Sequence, residues 1–120
     1  MIIAHRYEVG QWREEKADSW WAHIYIGGDI SVAKAKCREL CFPSGLCVTV
    51  EPITYIYAGG SEDGYRLGMI QYPPYPESES SLYEKAVMVG KTIAEANCQW
   101  SFTIVTPNGN LFHSRKQSCA

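Results

Sequence analysis

Two tryptophans stand side by side in Ser19-Trp-Trp-Ala-His-Ile-Tyr-Ile-Gly27. The stretch is rich in aromatic and β-branched residues and reads as a strand over Ser19 to Ile26. Neighbouring side chains on a strand point to opposite faces, so the two indoles part company. Trp20, Ala22, Ile24 and Ile26 make the more aliphatic set and are assigned to a helix-covered core. Trp21, His23 and Tyr25 then form a row on the other side. A strand with two such faces needs a layered fold, and its second face needs a use or a cover.

The rest of the chain supplies the layers. Its 120 residues suit a single domain, residues 1–120, with a core large enough to need no staples. Ile30, Ala33, Cys37, Leu40 and Cys41 recur at helical spacing after a possible cap at Asp29 or Ser31, and Pro43-Ser-Gly45 closes that helix. A second helix is expected from Ser81, where Ser81-x-x-Glu84 has the form of a capping box, to about Asn97. Leu82, Ala86, Val89 and Ile93 form one of its apolar ridges. Strands are expected at Ile2 to Val9, Leu46 to Val50 continuing into Ile53 to Ala58, Tyr65 to Tyr72, Trp100 to Thr106 and Leu111 to Arg115. The part from Trp20 to Thr106 runs β-α-β-β-α-β. That order specifies an α+β two-layer sandwich: an antiparallel sheet with two helices on one face, a ferredoxin-like core with flanking strands.

The tyrosine-rich run from Tyr55 to Pro76 reads as a hairpin. With Gly60-Ser61-Glu62 as its turn, Tyr57 would face Tyr65, Tyr55 would face Leu67 and Ile53 would face Met69, with all six on one side of the sheet. Pro73, Pro74 and Pro76 end the second strand because proline cannot donate to a ladder.

Several chemistries are disfavoured. The formal charge of −2 gives no long-range pull toward nucleic acid or an anionic membrane. No apolar run reaches membrane-spanning length, and the first residues lack the build of a signal peptide, so a cytoplasmic location is expected. The five cysteines, Cys37, Cys41, Cys47, Cys98 and Cys119, are odd in number and read as reduced thiols. Cys37 and Cys41 lie on the apolar stripe as small hydrophobes rather than metal ligands. His5, His23 and His113 fall on separate strands and read as ordinary histidines in preference to a metal set. No nucleophile elbow, phosphate loop or His-Glu-x-x-His pattern occurs, and no cofactor is implied. Gly27-Gly28 could present amides to an anion at a helix start, although two glycines there more simply let the backbone bend.

These observations favour a small non-enzymatic binding module. It would act through protein–protein contact on the aromatic sheet face, with another protein or with itself as a homodimer. The binding residues would be Trp21, His23, Tyr25 and Arg66. The alternative is a cofactor-independent enzyme or small-ligand binder with a pocket near His23, Tyr25 and Arg66, in which His23 serves as acid or base. A further alternative is single-stranded nucleic-acid binding by stacking, which the acidic balance and the missing glycine-aromatic signature make the weakest of these.

Overall fold

The computed structural model describes residues 10–116. The expected strand at Ile2 to Val9, His5 and Cys119 lie outside the described residues. Strand β1 spans Trp21–Gly27, helix α1 Ile30–Ser44, β2 Thr49–Tyr57, β3 Gly60–Ile70, α2 Glu79–Ala96, β4 Ser101–Thr106 and β5 Gly109–Ser114. The five strands form one antiparallel-paired sheet in the order β2-β3-β1-β4-β5, and both helices pack on the same face. This is the α+β two-layer architecture expected, with a ferredoxin-like arrangement extended at one edge by β5.

Alternation in β1 comes out as read. Trp20, Ala22, Ile24 and Ile26 are buried under the helices, and Trp21, His23 and Tyr25 are half-buried on the opposite face. The core is completed by Leu67 and Met69 of β3, Leu82, Ala86, Val89 and Ile93 of α2, and Phe102 and Ile104 of β4. Asp29 caps α1, its carboxylate accepting the Ser31 amide at 2.7 Å. Gly45, at φ 71°, closes the helix in the left-handed conformation that glycine adopts without strain. In α2 the cap is Ser78, which accepts the Ser81 amide, so the helix starts before the expected Ser81. Ser81 is committed elsewhere, donating its hydroxyl to Glu77 at 2.8 Å. Pro52 lies inside β2, where it is tolerated because β2 is an edge strand.

The β2–β3 hairpin differs from the expected register. It turns on Ala58 and Gly59, with Gly59 at φ 90°, so Tyr57 faces Gly60, Tyr55 faces Glu62 and Ile53 faces Gly64. The sequence pattern favours Tyr57 opposite Tyr65. The partner moves five positions, an odd number, and an odd slip exchanges the two faces of a strand. Tyr65, Leu67 and Met69 consequently enter the core, while Ile53, Tyr55 and Tyr57 stay on the open face. The buried Tyr65 hydroxyl receives a 2.7 Å bond from Asn97 Nδ2, and burial still pushes its pKa up to about 12.

The Gly27-Gly28 turn is filled by protein. Gly28 N–H donates to Asp63 O at 3.2 Å, and Asn97 both accepts from Asp29 N–H and donates to Asp29 O at 3.1 Å. A Cβ on Gly28 would stand 2.8 Å from Asn97 Cγ, so the glycine admits the asparagine rather than an anion.

Candidate functional site

The open face of the sheet is laid out by β3, whose outward positions read Gly60, Glu62, Gly64, Arg66 and Gly68. Bare and charged positions alternate along the strand. The bare positions let side chains of β2 lie down across the sheet. At Gly64, a Cβ would fall 2.4 Å from Ile26 O and 2.5 Å from the Tyr55 ring. The Tyr55 ring therefore rests over the glycine, with its hydroxyl shared between Ile26 O at 3.1 Å and Tyr65 O at 3.2 Å. Burial first, then the nearby Tyr25 phenol and Glu62, hold the Tyr55 hydroxyl above its ordinary pKa, with the Ile26 bond opposing. Thr49 covers Gly68 in a looser way, with only its hydroxyl oxygen within 3 Å of a built Cβ.

The expected binding residues fall in neighbouring rows of this face. Tyr25 pairs with Arg66 across β1 and β3, and His23 pairs with Gly68 in the next row. The Arg66 guanidinium donates to Glu51 at 2.8 Å; its pKa is raised first by that carboxylate and next by the Tyr25 phenol. Trp21 and His23 rings approach to 4.9 Å between centroids. Desolvation, then the Arg66 charge, lower the His23 pKa against a smaller opposing effect of Glu51, so the ring is neutral at pH 7. His113 is on the other face, stacked on Phe102 and 3.1 Å from the Tyr83 hydroxyl, so it does not join His23.

A second cluster, absent from the sequence reading, lies beside Tyr25 at the end of β1. Gly27 leaves a bare spot there. The position of its missing Cβ is 3.2 Å from Gln99 Oε1 and 3.6 Å from Glu62 Oε2. The Gln99 amide is oriented by its own donor group, since Nε2 reaches Asn97 O at 3.4 Å and leaves Oε1 toward Gly27. Two oxygen acceptors, one of them a carboxylate, thus converge over a glycine with the rings of Tyr25 and Tyr55 close by. Oxygen acceptors beside aromatic rings suit a cation. Glycine at every fourth residue of β3 (Gly60, Gly64, Gly68) is a visible signal for the places where β2 side chains lie across the sheet, because residues four apart on a strand share a face.

No protein-family model matches the chain, and no curated protein matches its sequence. Among solved structures, the fold is similar to that of a phage SAM lyase in its apo state, with a TM-score of 0.67 over 90% of this chain and 99% of that one, at 16% identity. It is equally similar to a phage SAM lyase in complex with S-methyl-5'-thioadenosine, with a TM-score of 0.66, 91% and 99% coverage and 13% identity. This likeness corrects the expectation of a non-enzymatic binding module. The fold matched over nearly the full length of the solved chains is that of an enzyme. The expectation rested on missing catalytic motifs, and an acceptor set such as Glu62 and Gln99 forms no motif because its members lie far apart in sequence.

Proposed function

We propose that the chain is a cofactor-independent enzyme that cleaves a sulfonium nucleoside of the S-adenosylmethionine type, releasing S-methyl-5'-thioadenosine. The observation that carries the reading is the convergence of Glu62 Oε2 and Gln99 Oε1 over Gly27, beside Tyr25 and Tyr55. A sulfonium has a positive charge and no N–H or O–H to donate, so it is recognised by oxygen acceptors and aromatic faces. The likeness to the phage SAM lyases supports the choice of this cation over others.

The chemistry asks little of the protein. The bond from sulfur to the aminobutyrate chain breaks with both electrons on sulfur, which leaves as a neutral thioether. The substrate's own carboxylate supplies the new bond to the carbon that sulfur leaves, so no water, metal or external nucleophile enters. Charge disappears as the bond breaks, so rings rather than water beside the sulfur favour the transition state. Glu62 and Gln99 select and seat the cation. Arg66, held by Glu51, fixes Tyr25, and the neutral His23 with Trp21 continues the face along which the rest of the substrate extends.

The test is chromatography of S-adenosylmethionine incubated with the protein. Release of S-methyl-5'-thioadenosine in water labelled with oxygen-18, with no label on the carbon that sulfur left in the second product, is the expected result. S-adenosylhomocysteine, a neutral thioether, should stay intact. Failure to release S-methyl-5'-thioadenosine would remove the reading.

A further inference from the structure

On the helix-covered side of the sheet, α2 and β5 meet through the Tyr83 hydroxyl and His113 and leave a gap beside that contact. A groove of about 360 Å³ remains between Lys91 and Glu95 of α2 and His113 at the β5 edge, with Trp100 and Arg115 at one end. That volume is in the range of small-molecule sites. It arises from local packing. The Phe102 ring slides under Gly90, where a Cβ would stand 2.5 Å away, and His113 stacks on Phe102 with ring centroids 5.0 Å apart. The floor is therefore aromatic, and the rim is charged.

The cations are arranged in advance. The Arg115 guanidinium lies over the Trp100 ring at 4.5 Å from its centroid, and its Nε and Nη2 donate to Gln99 O at 3.3 and 3.1 Å. Its Nη1 has no acceptor among the described residues. Neither Arg115 nor Lys91 forms an ion pair among the described residues. Glu95 offsets part of their charge, which leaves the groove positive with an indole at its end. A guanidinium held over an aromatic ring, with a second cation lining the same groove, suits an anionic oxygen group on a ligand that also carries a planar ring.

We propose that this groove binds a nucleoside monophosphate, its phosphate between Lys91 and Arg115 and its base along Trp100 and His113. The groove opens on the opposite face from Glu62 and shares Gln99 with that site, here through the backbone carbonyl that holds Arg115; the proposal does not depend on the sulfonium reading. Calorimetric titration of the whole chain with AMP, adenosine and inorganic phosphate at low salt tests it. AMP should bind at least about tenfold more tightly than either fragment, because ring and charge are both engaged. Lys91→Ala and Arg115→Ala should each weaken AMP by about fivefold or more, and Glu95→Gln should strengthen it by about twofold, from the change in local charge. Lys91 and Glu95 are exposed on α2, so their variants decide the matter even if Arg115→Ala perturbs the fold. AMP no tighter than adenosine, or an AMP affinity unmoved by Lys91→Ala and Glu95→Gln, would overturn the proposal. Binding lost in Glu62→Gln but kept in the groove variants would do the same, by placing AMP on the other face.

Discussion

On the helix-covered side of the sheet, Ile24, Ile26, Leu67 and Ile104 are sealed among one another and the helices. On the open side the same strands carry Tyr25, Glu62, Arg66 and His23, half-buried or exposed, around a Gly64 that the Tyr55 ring covers. One face is filled by volume. The other is shaped by leaving volume out, with Gly64 giving way to Tyr55 and Gly27 left bare beneath Glu62 and Gln99. The covered face can trade one aliphatic residue for another of similar size, whereas the open face depends on which atoms are absent.

Substitutions on each side should separate the two modes of construction. The largest effect is expected from Ile24→Ala, which opens a cavity in the sealed layer and should cost about 2–5 kcal/mol in urea unfolding. Gly64→Ala should follow at about 1–3 kcal/mol, because the new methyl meets the Ile26 carbonyl oxygen, a backbone atom that cannot swing aside. Gly68→Ala supplies the contrast within one strand. Its clash is with Thr49 Oγ1, the end of a rotatable side chain, so it should cost clearly less than Gly64→Ala. Equal costs at the two glycines would break the distinction. Tyr55→Phe removes the hydroxyl held by Ile26 O and Tyr65 O and should cost about 1 kcal/mol, with a matching loss of rigidity over Gly64.

The smallest effect concerns pH. The folded His23 pKa lies below its ordinary value of 6.5, so the unfolded chain takes up a proton first as pH falls. The stability tied to His23 is thus complete above pH 6.5 and is lost as pH drops from there through the folded value. Melting temperatures recorded from pH 7.5 to pH 5 on wild type and His23→Gln should converge toward low pH relative to their difference at high pH. A constant difference would show that His23 titrates alike in both states.

The covered face was legible because burial imposes a period. Trp20, Ala22, Ile24 and Ile26 sort themselves by alternation, and the helix ridges of α1 and α2 do so by their own spacing. The open face was legible only in part. Trp21, His23 and Tyr25 share the strand with that alternation and came with it. Arg66 joins them opposite Tyr25, although the hairpin that carries it closes in a register other than the one its apolar pattern favours. The run Ala58-Gly-Gly-Ser offered two turn lengths, and the face carried by Tyr65, Leu67 and Met69 depended on which one closed. Glu62 of β3 and Gln99 of the α2–β4 connection converge over Gly27 at the sheet end, and their convergence is a property of the closed fold with no trace in local sequence.

The account stands most directly on Glu62 as the group that recognises a positive sulfur. Steady-state release of S-methyl-5'-thioadenosine from S-adenosylmethionine, compared between wild type and Glu62→Gln, measures this. The expected result is a fall in kcat/KM of about tenfold or more, chiefly through KM, with inhibition by the neutral S-methyl-5'-thioadenosine unchanged. Equal kcat/KM in the two proteins, or no product from wild type, would contradict it.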